Sequence, residues 1–96
     1  MMELTPSWDP AKAKSNTNKH GTTFEEAATV FRDANARLIH DPDHSQTEDR
    51  FLLLGLSARL RLLAVAHSYR KGDCEIRIIS ARKATRRERE QYEGFS

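Results

Sequence analysis

Apolar positions in this chain keep a helical spacing at first and an alternating one later, and that switch predicts most of its elements. Asp9 and Pro10 read as helix cap and first helical residue: the Asp carboxylate accepts a free amide, and the fixed φ of Pro suits the first turn. A helix is expected over residues 10–18, closed by Gly21 in a left-handed conformation, with Lys19 and His20 beside its negative end. Thr23 and Glu26 have capping-box spacing, so a second helix starts there. Its Phe24, Ala27, Ala28 and Phe31 fall at i, i+3, i+4 and i+7, an apolar stripe read as core. Residues 33–35 break the stripe. Residues 36–40 read as a strand, ended by the Asp41-Pro42-Asp43 turn. Leu4 begins a short edge strand whose pairing Pro6 limits.

Three stronger strand runs follow, over residues 50–57, 60–68 and 74–81. Only residues 57–59 separate the first two, so they form an antiparallel hairpin. In the second run Arg61, Leu63, Val65 and His67 share one face, and Leu60, Leu62, Ala64 and Ala66 the other. In the third, Cys74, Ile76, Ile78 and Ser80 share one face, and Glu75, Arg77, Ile79 and Ala81 the other. Thr85 and Glu88 repeat the capping-box spacing and open a last helix, to about Tyr92, with almost no apolar stripe. The sum is an α+β fold of two N-terminal helices, an antiparallel β-sheet and a C-terminal helix, a single domain over residues 1–96.

Composition narrows the function. The longest apolar runs are too short to span a bilayer and lie inside the chain, so neither a membrane segment nor a signal peptide is expected. A lone Cys74 excludes an internal disulfide and suits a reducing cytoplasm. The net charge of +2 hides an asymmetry: residues 1–58 carry 6 basic and 9 acidic side chains, residues 59–96 carry 10 and 5. The second part therefore offers the surface for a polyanion, and its arginines favour bidentate phosphate contacts.

Six cations fall within thirteen residues: Arg77, Arg82, Lys83, Arg86, Arg87 and Arg89. Such a block grips several phosphates at once, or forms a solvated helix whose arginines pair with Glu88, Glu90 and Glu93. Tyr92 beside it suits base stacking or proton transfer. Lys19-His20 suits acid–base work or simple dipole complementarity. His67 suits a satisfied core position or, near a strand end, catalysis. Glu48 and Arg50, two apart, project to one side as a surface ion pair or as a charged pair facing substrate. Asp41, Asp43 and His44 suggest a divalent metal at first sight, but their spacing matches no ligand loop, so neither metal nor cofactor is expected.

Three ordered stretches carry a family resemblance: Trp8 to Phe31 (WDPAKAKSNTNKHGTTFEEAATVF), Asp41 to Arg59 (DPDHSQTEDRFLLLGLSAR), and IRIISARKATRRERE with Tyr92. Over about residues 8–93 the chain resembles the BrnT family, toxins of type II toxin–antitoxin modules. The resemblance implies a compact RelE-like fold and a ribonuclease that cleaves RNA and arrests growth. It also implies a BrnA-type antitoxin with a ribbon-helix-helix region, a toxin–antitoxin heterotetramer, and operator DNA bound only through the antitoxin. By likeness to RelE-like nucleases, Arg77 and Arg82 form the phosphate clamp with Lys83 as helper. Glu48, His20, His67 and Tyr92 are the acid–base candidates, and Lys19, Arg50, Arg86 and Arg89 further RNA contacts. The rival reading is a non-catalytic regulator that binds nucleic acid or an antitoxin. The chain departs from the family in two places. Leu60 stands where relatives commonly have Gly, and Pro6 and Ser7 replace apolar residues before the Trp.

Overall fold

A computed structural model describes residues 5–41, 50–70 and 75–94. Strand β1 (Thr5–Ser7) leads into α1 (Pro10–His20) and α2 (Phe24–Thr29), which runs on as a 3₁₀ turn, Val30–Arg32. Then come β2 (Arg37–His40), β3 (Phe51–Leu56), β4 (Leu62–Arg70), β5 (Glu75–Lys83) and α3 (Arg86–Glu93). The sheet order is β1-β5-β4-β3-β2. Three pairings are antiparallel, as expected, but β1 runs parallel to β5, so the sheet is mixed. A parallel pair needs a long connection, and here nearly the whole chain lies between the two strands, so local pattern carried no signal for it.

The helix starts form for the reasons their sequences suggest. Asp9 Oδ1 accepts from the Ala11 amide at 2.9 Å, and Thr85 and Glu88 make a reciprocal capping box. Helix α1 extends to His20 and ends at Gly21, whose φ of 67° only glycine adopts without strain. The apolar stripe of α2 holds for Phe24 and Ala27, both fully buried. The switch to 3₁₀ geometry then turns Val30 inward and leaves Phe31 partly buried.

Helices α1 and α2 cover one side of the sheet. There Phe24, Ala27 and Val30 pack on Leu53, Leu63, Val65, Ile76, Ile78 and Ala81. The other side carries a smaller cluster, Leu52, Leu54, Ala64 and Ala66, with Ile39, Ile79 and Tyr92 packed against it.

Strand β5 departs from simple alternation. Ser80 pairs with Ala66 but Ile78 pairs with His67, so Ile79 has no counterpart and the strand bulges. Ala81 therefore returns to the core with Ile76 and Ile78, and Ser80 does not share their face as alternation predicts. The free edge at the bulge is closed by Asn16 of α1. Its Oδ1 accepts from the Ala81 amide at 3.0 Å. Its Nδ2 donates to the Ala81 carbonyl at 2.8 Å and to the Thr22 carbonyl at 2.9 Å.

The β3–β4 hairpin turns through Ala58, Arg59 and Leu60, with the Leu60 amide on the Ser57 carbonyl at 2.8 Å and Leu60 at φ 60°. This is a type I turn closed by a left-handed residue, a place for glycine. The turn keeps its form although Leu60 resists it, and the Leu60 side chain stays 80% exposed. Beneath the hairpin, Glu26 accepts from Ser57 Oγ at 2.6 Å and from Arg61 Nε at 2.9 Å, and Arg61 Nη2 donates to its other oxygen. That network ties α2 to the turn. At Gly55 a Cβ would lie 2.8 Å from Val30 Cγ1, so the 3₁₀ turn sits closer to β3 than a side chain permits.

Two stability changes follow. Leu60→Gly relieves the left-handed strain and raises the unfolding free energy by about 1 kcal/mol, roughly 5 °C in the thermal midpoint. Asn16→Ala orphans two buried backbone groups of Ala81 and lowers it by about 3 kcal/mol. Urea and thermal unfolding of each variant check both.

Candidate active site

The bulge decides where the cations of β5 point. Arg77 and Arg82 are five residues apart, and a regular strand would send them to opposite faces. With one extra residue between them, Arg77 pairs opposite Ser68 and Arg82 opposite Ala64, four apart on β4. Both therefore project from the side of the sheet away from α1 and α2, at a separation along the strand of roughly 13 Å. Ile79 and Ser80, the two bulge residues, turn to that side between them.

At the bulge, α1 contributes its own cations. A groove of about 190 Å³ is lined by Lys12, Ser15, Asn16, Lys19 and His20 from α1 and by Ile79 and Ser80 from β5. Lys19 and His20 thus stand beside Ile79 and Ser80, the stretch of β5 that separates the two arginines. The elements converge because Asn16 anchors α1 at Ala81, one residue before Arg82.

The two arginines differ. Arg77 is half-buried, and among the described residues its guanidinium has no hydrogen bond or ion pair. Arg82 is held by Glu88 of α3, Nη1 to Oε1 at 2.7 Å and Nη2 to Oε2 at 2.9 Å. The Glu88 carboxyl is held below its ordinary range, first by this pair and then, against the cost of burial, by the Thr85 amide. Of the pairings weighed for the basic helix, it is the strand arginine that takes Glu88. Arg86 and Arg89 are exposed on α3, and Lys83 is exposed at the end of β5.

Other candidates lie elsewhere. His67 is fully buried on the core face, where its ring meets Phe31 edge-on with centroids 4.9 Å apart. Its Nδ1 lies 3.0 Å from the Val65 carbonyl and so carries the proton. Nε2 then accepts from the Tyr69 hydroxyl at 3.2 Å. Burial pushes the imidazole below its usual pKa, so the ring is neutral and away from the arginine face. The Tyr92 hydroxyl donates to Asp33 Oδ2 at 2.6 Å, and that bond, with burial, pushes the phenol up to about 12. Burial raises the Asp33 carboxyl, but donors from Tyr92, Leu56 and Asn35 outweigh it and hold the group low. Tyr92 lines a separate groove of about 460 Å³ with residues 34–37 and Glu93. Arg50 precedes β3 and is two strands from β5. Glu48, Asp43, His44 and Cys74 lie outside the described residues. Lys12, Asn16 and Ser80 were not singled out from sequence. Asn in a helix interior is a poor helix former, and that was the available signal for Asn16.

Comparison with known proteins fits this geometry to a class. A family model described as the ribonuclease toxin BrnT of type II toxin–antitoxin systems matches residues 8–88. A crystal structure of the Brucella abortus ribonuclease toxin BrnT superposes with a TM-score of 0.63 at 24% identity, covering 90% of this chain and 100% of that one. At that identity the structure establishes the shared fold. A comparison with curated proteins finds no significant match. The class is therefore that of small ribonuclease toxins from two-component toxin–antitoxin modules, and such a protein has an antitoxin partner and an RNA substrate. Since the family model spans most of its length, the chain belongs to the BrnT family.

The buried histidine sets a pH dependence. Above an unfolded value near 6.5, His67 is neutral in both states and contributes no slope. Below it the unfolded chain takes a proton that the folded one refuses, so stability falls as pH drops from 6.5 toward the lowered folded value, by about 1.4 kcal/mol per unit at most. Glu26, Asp33 and Glu88, all held low, add a separate loss only as pH falls below about 4.5. Urea midpoints between pH 7.5 and 5 show the first loss, and His67→Gln flattens it.

Proposed function

We propose that this chain cleaves RNA along the β5 face without a metal ion, arrests growth in the cytoplasm as a single-domain toxin, and is neutralised by a BrnA-type ribbon-helix-helix antitoxin. The observation that carries this reading is the placement of Arg77 and Arg82 on one side of β5, with the Lys19-His20 groove on the strand between them. RNA supplies its own nucleophile, the ribose 2′-hydroxyl. The reaction needs a base for the 2′ proton, an acid for the leaving 5′ oxygen, and cations for the charge that gathers on phosphorus oxygens.

Arg77 supplies a permanently charged fork with no partner to displace among the described residues. Arg82, preset by Glu88, supplies a second cation further along the backbone, with Lys83 beside it. His20 is the acid–base group of choice, because it lines the groove beside the stretch of β5 between them and an imidazole can both give and take a proton. Burial withdraws His67 from that role, and Asp33 leaves Tyr92 a donor and not a base. Lys19, Arg86 and Arg89 widen the positive field, and Arg50 extends it toward the far strands. The antitoxin covers this basic face in a heterotetramer that reaches operator DNA through the antitoxin alone.

Arg77→Ala lowers the cleavage rate about a hundredfold, the effect of removing one transition-state donor of about 3 kcal/mol. It restores growth of expressing cells while leaving the thermal midpoint unchanged. Arg82→Ala also restores growth but costs about 1 kcal/mol of stability, because it breaks the pair with Glu88. Purified protein cuts total RNA equally with and without EDTA. Intact RNA at every protein concentration, with binding retained, would instead mark a non-catalytic regulator. Activity lost in EDTA and restored by one divalent ion would overturn the metal-free route.

A further inference from the structure

The groove between α1 and β5 holds more than Lys19 and His20. Helix α1 is fixed by Asn16, whose side chain makes both hydrogen bonds to Ala81 at the edge of β5. Lys12 lies one turn before that anchor, and Lys19 and His20 one turn after it, so a single helical face aligns all three along the strand. From β5, the bulge adds the hydroxyl of Ser80, and α1 adds that of Ser15. Among the described residues, no carboxylate lines this groove. Among the described residues, the side chains of Lys12, Lys19 and His20 have no hydrogen bond or ion pair, although the chain carries 14 acidic residues. Two unneutralised lysines, an imidazole and two hydroxyls around one small groove are the donor set of a phosphate site. At about 190 Å³ it falls below the roughly 300–1,000 Å³ of pockets that take whole drug-sized ligands, which suits one phosphodiester and not a nucleoside.

We propose that this groove is a phosphodiester subsite for single-stranded RNA, in which Lys12 and Ser80 hold one backbone phosphate between the positions served by Arg77 and Arg82. The subsite rests on the RNA-cleaving reading above and adds to it a third anion position and two residues that bind without taking part in proton transfer. The bulge gives it its place: with regular alternation, Ser80 would face the core and no groove would open between the arginines. Lys12 acts as a point charge, so its contribution is salt-dependent. Ser80 acts as a neutral donor, so its contribution is not.

A short single-stranded RNA with 2′-O-methyl riboses, which cannot be cut for lack of a nucleophile, is the probe. Its affinity is measured from 50 to 300 mM salt for the full chain and for Lys12→Ala, Ser80→Ala and Lys14→Ala. Lys14 is exposed on α1 outside the groove and serves as control. Lys12→Ala is expected to weaken binding about fivefold and to reduce the slope of log affinity against log salt by about 0.7, the loss of one phosphate contact on a single strand. Ser80→Ala is expected to weaken binding severalfold with the slope unchanged, and Lys14→Ala to change neither. Identical behaviour of the Lys12 and Lys14 variants, with the unaltered chain binding and cutting RNA, would overturn the subsite and leave the ribonuclease reading standing. An unaltered chain that binds no probe even at the lowest salt would overturn both.

Discussion

One buried amide sets the working face of this protein. Asn16 satisfies the amide and carbonyl of Ala81 where β5 has no neighbouring strand, and it does so beside a one-residue bulge. An unpaired buried peptide there would cost more than most single contacts contribute, so the helix is held wherever its Asn can reach. Everything basic at the site follows. Lys12, Lys19 and His20 take their positions from the helix that Asn16 anchors, and Arg77 and Arg82 take their common side from the bulge. The fold spends one irregular residue to turn an alternating strand into a strip of like charge.

Such a strip repels itself, and the structure relieves it unequally. Arg82 is neutralised by Glu88, which at the same time caps α3 through Thr85. Arg77, Lys12 and Lys19 are left without carboxylate partners among the described residues. On the opposite side of the sheet, by contrast, the buried carboxylate of Glu26 is matched by Arg61 and Ser57, and the core histidine is neutral. The unmatched positive charge of Arg77, Lys12 and Lys19 thus lies on a surface where a polyanion would supply the match. That division between a satisfied interior and an unsatisfied rim is what a phosphate-binding protein requires.

The three helices and the strands from β2 onward were legible because each has a local cause. Asp9-Pro10, Thr23 with Glu26, and Thr85 with Glu88 are caps that act within four residues, and the hairpin after Ser57 is a turn of fixed length. What was not legible depends on partners far along the chain. The parallel pairing of β1 joins residues about 70 apart, and nothing near Thr5 signals it. The bulge left a trace in the adjacent Ile78 and Ile79, which break alternation, but its position depends on Asn16. His67 and Arg82 show the same limit: the residue types suit catalysis, and only the surrounding core or the carboxylate opposite decides what they do. Leu60 runs the other way. Its sequence argues against a left-handed turn, and the Glu26–Arg61 network beneath it holds that turn all the same.

The central claim is that RNA lies along the arginine side of β5 and α1. Backbone and side-chain NMR shifts during titration with an uncleavable single-stranded RNA test it most directly. The account predicts that perturbations centre on Arg77, Ser80, Arg82, Lys12 and His20, and that Phe31 and His67 on the core face are unmoved. Perturbations centred on the Arg37–Tyr92 groove, or on the aromatic residues around His67, would contradict it.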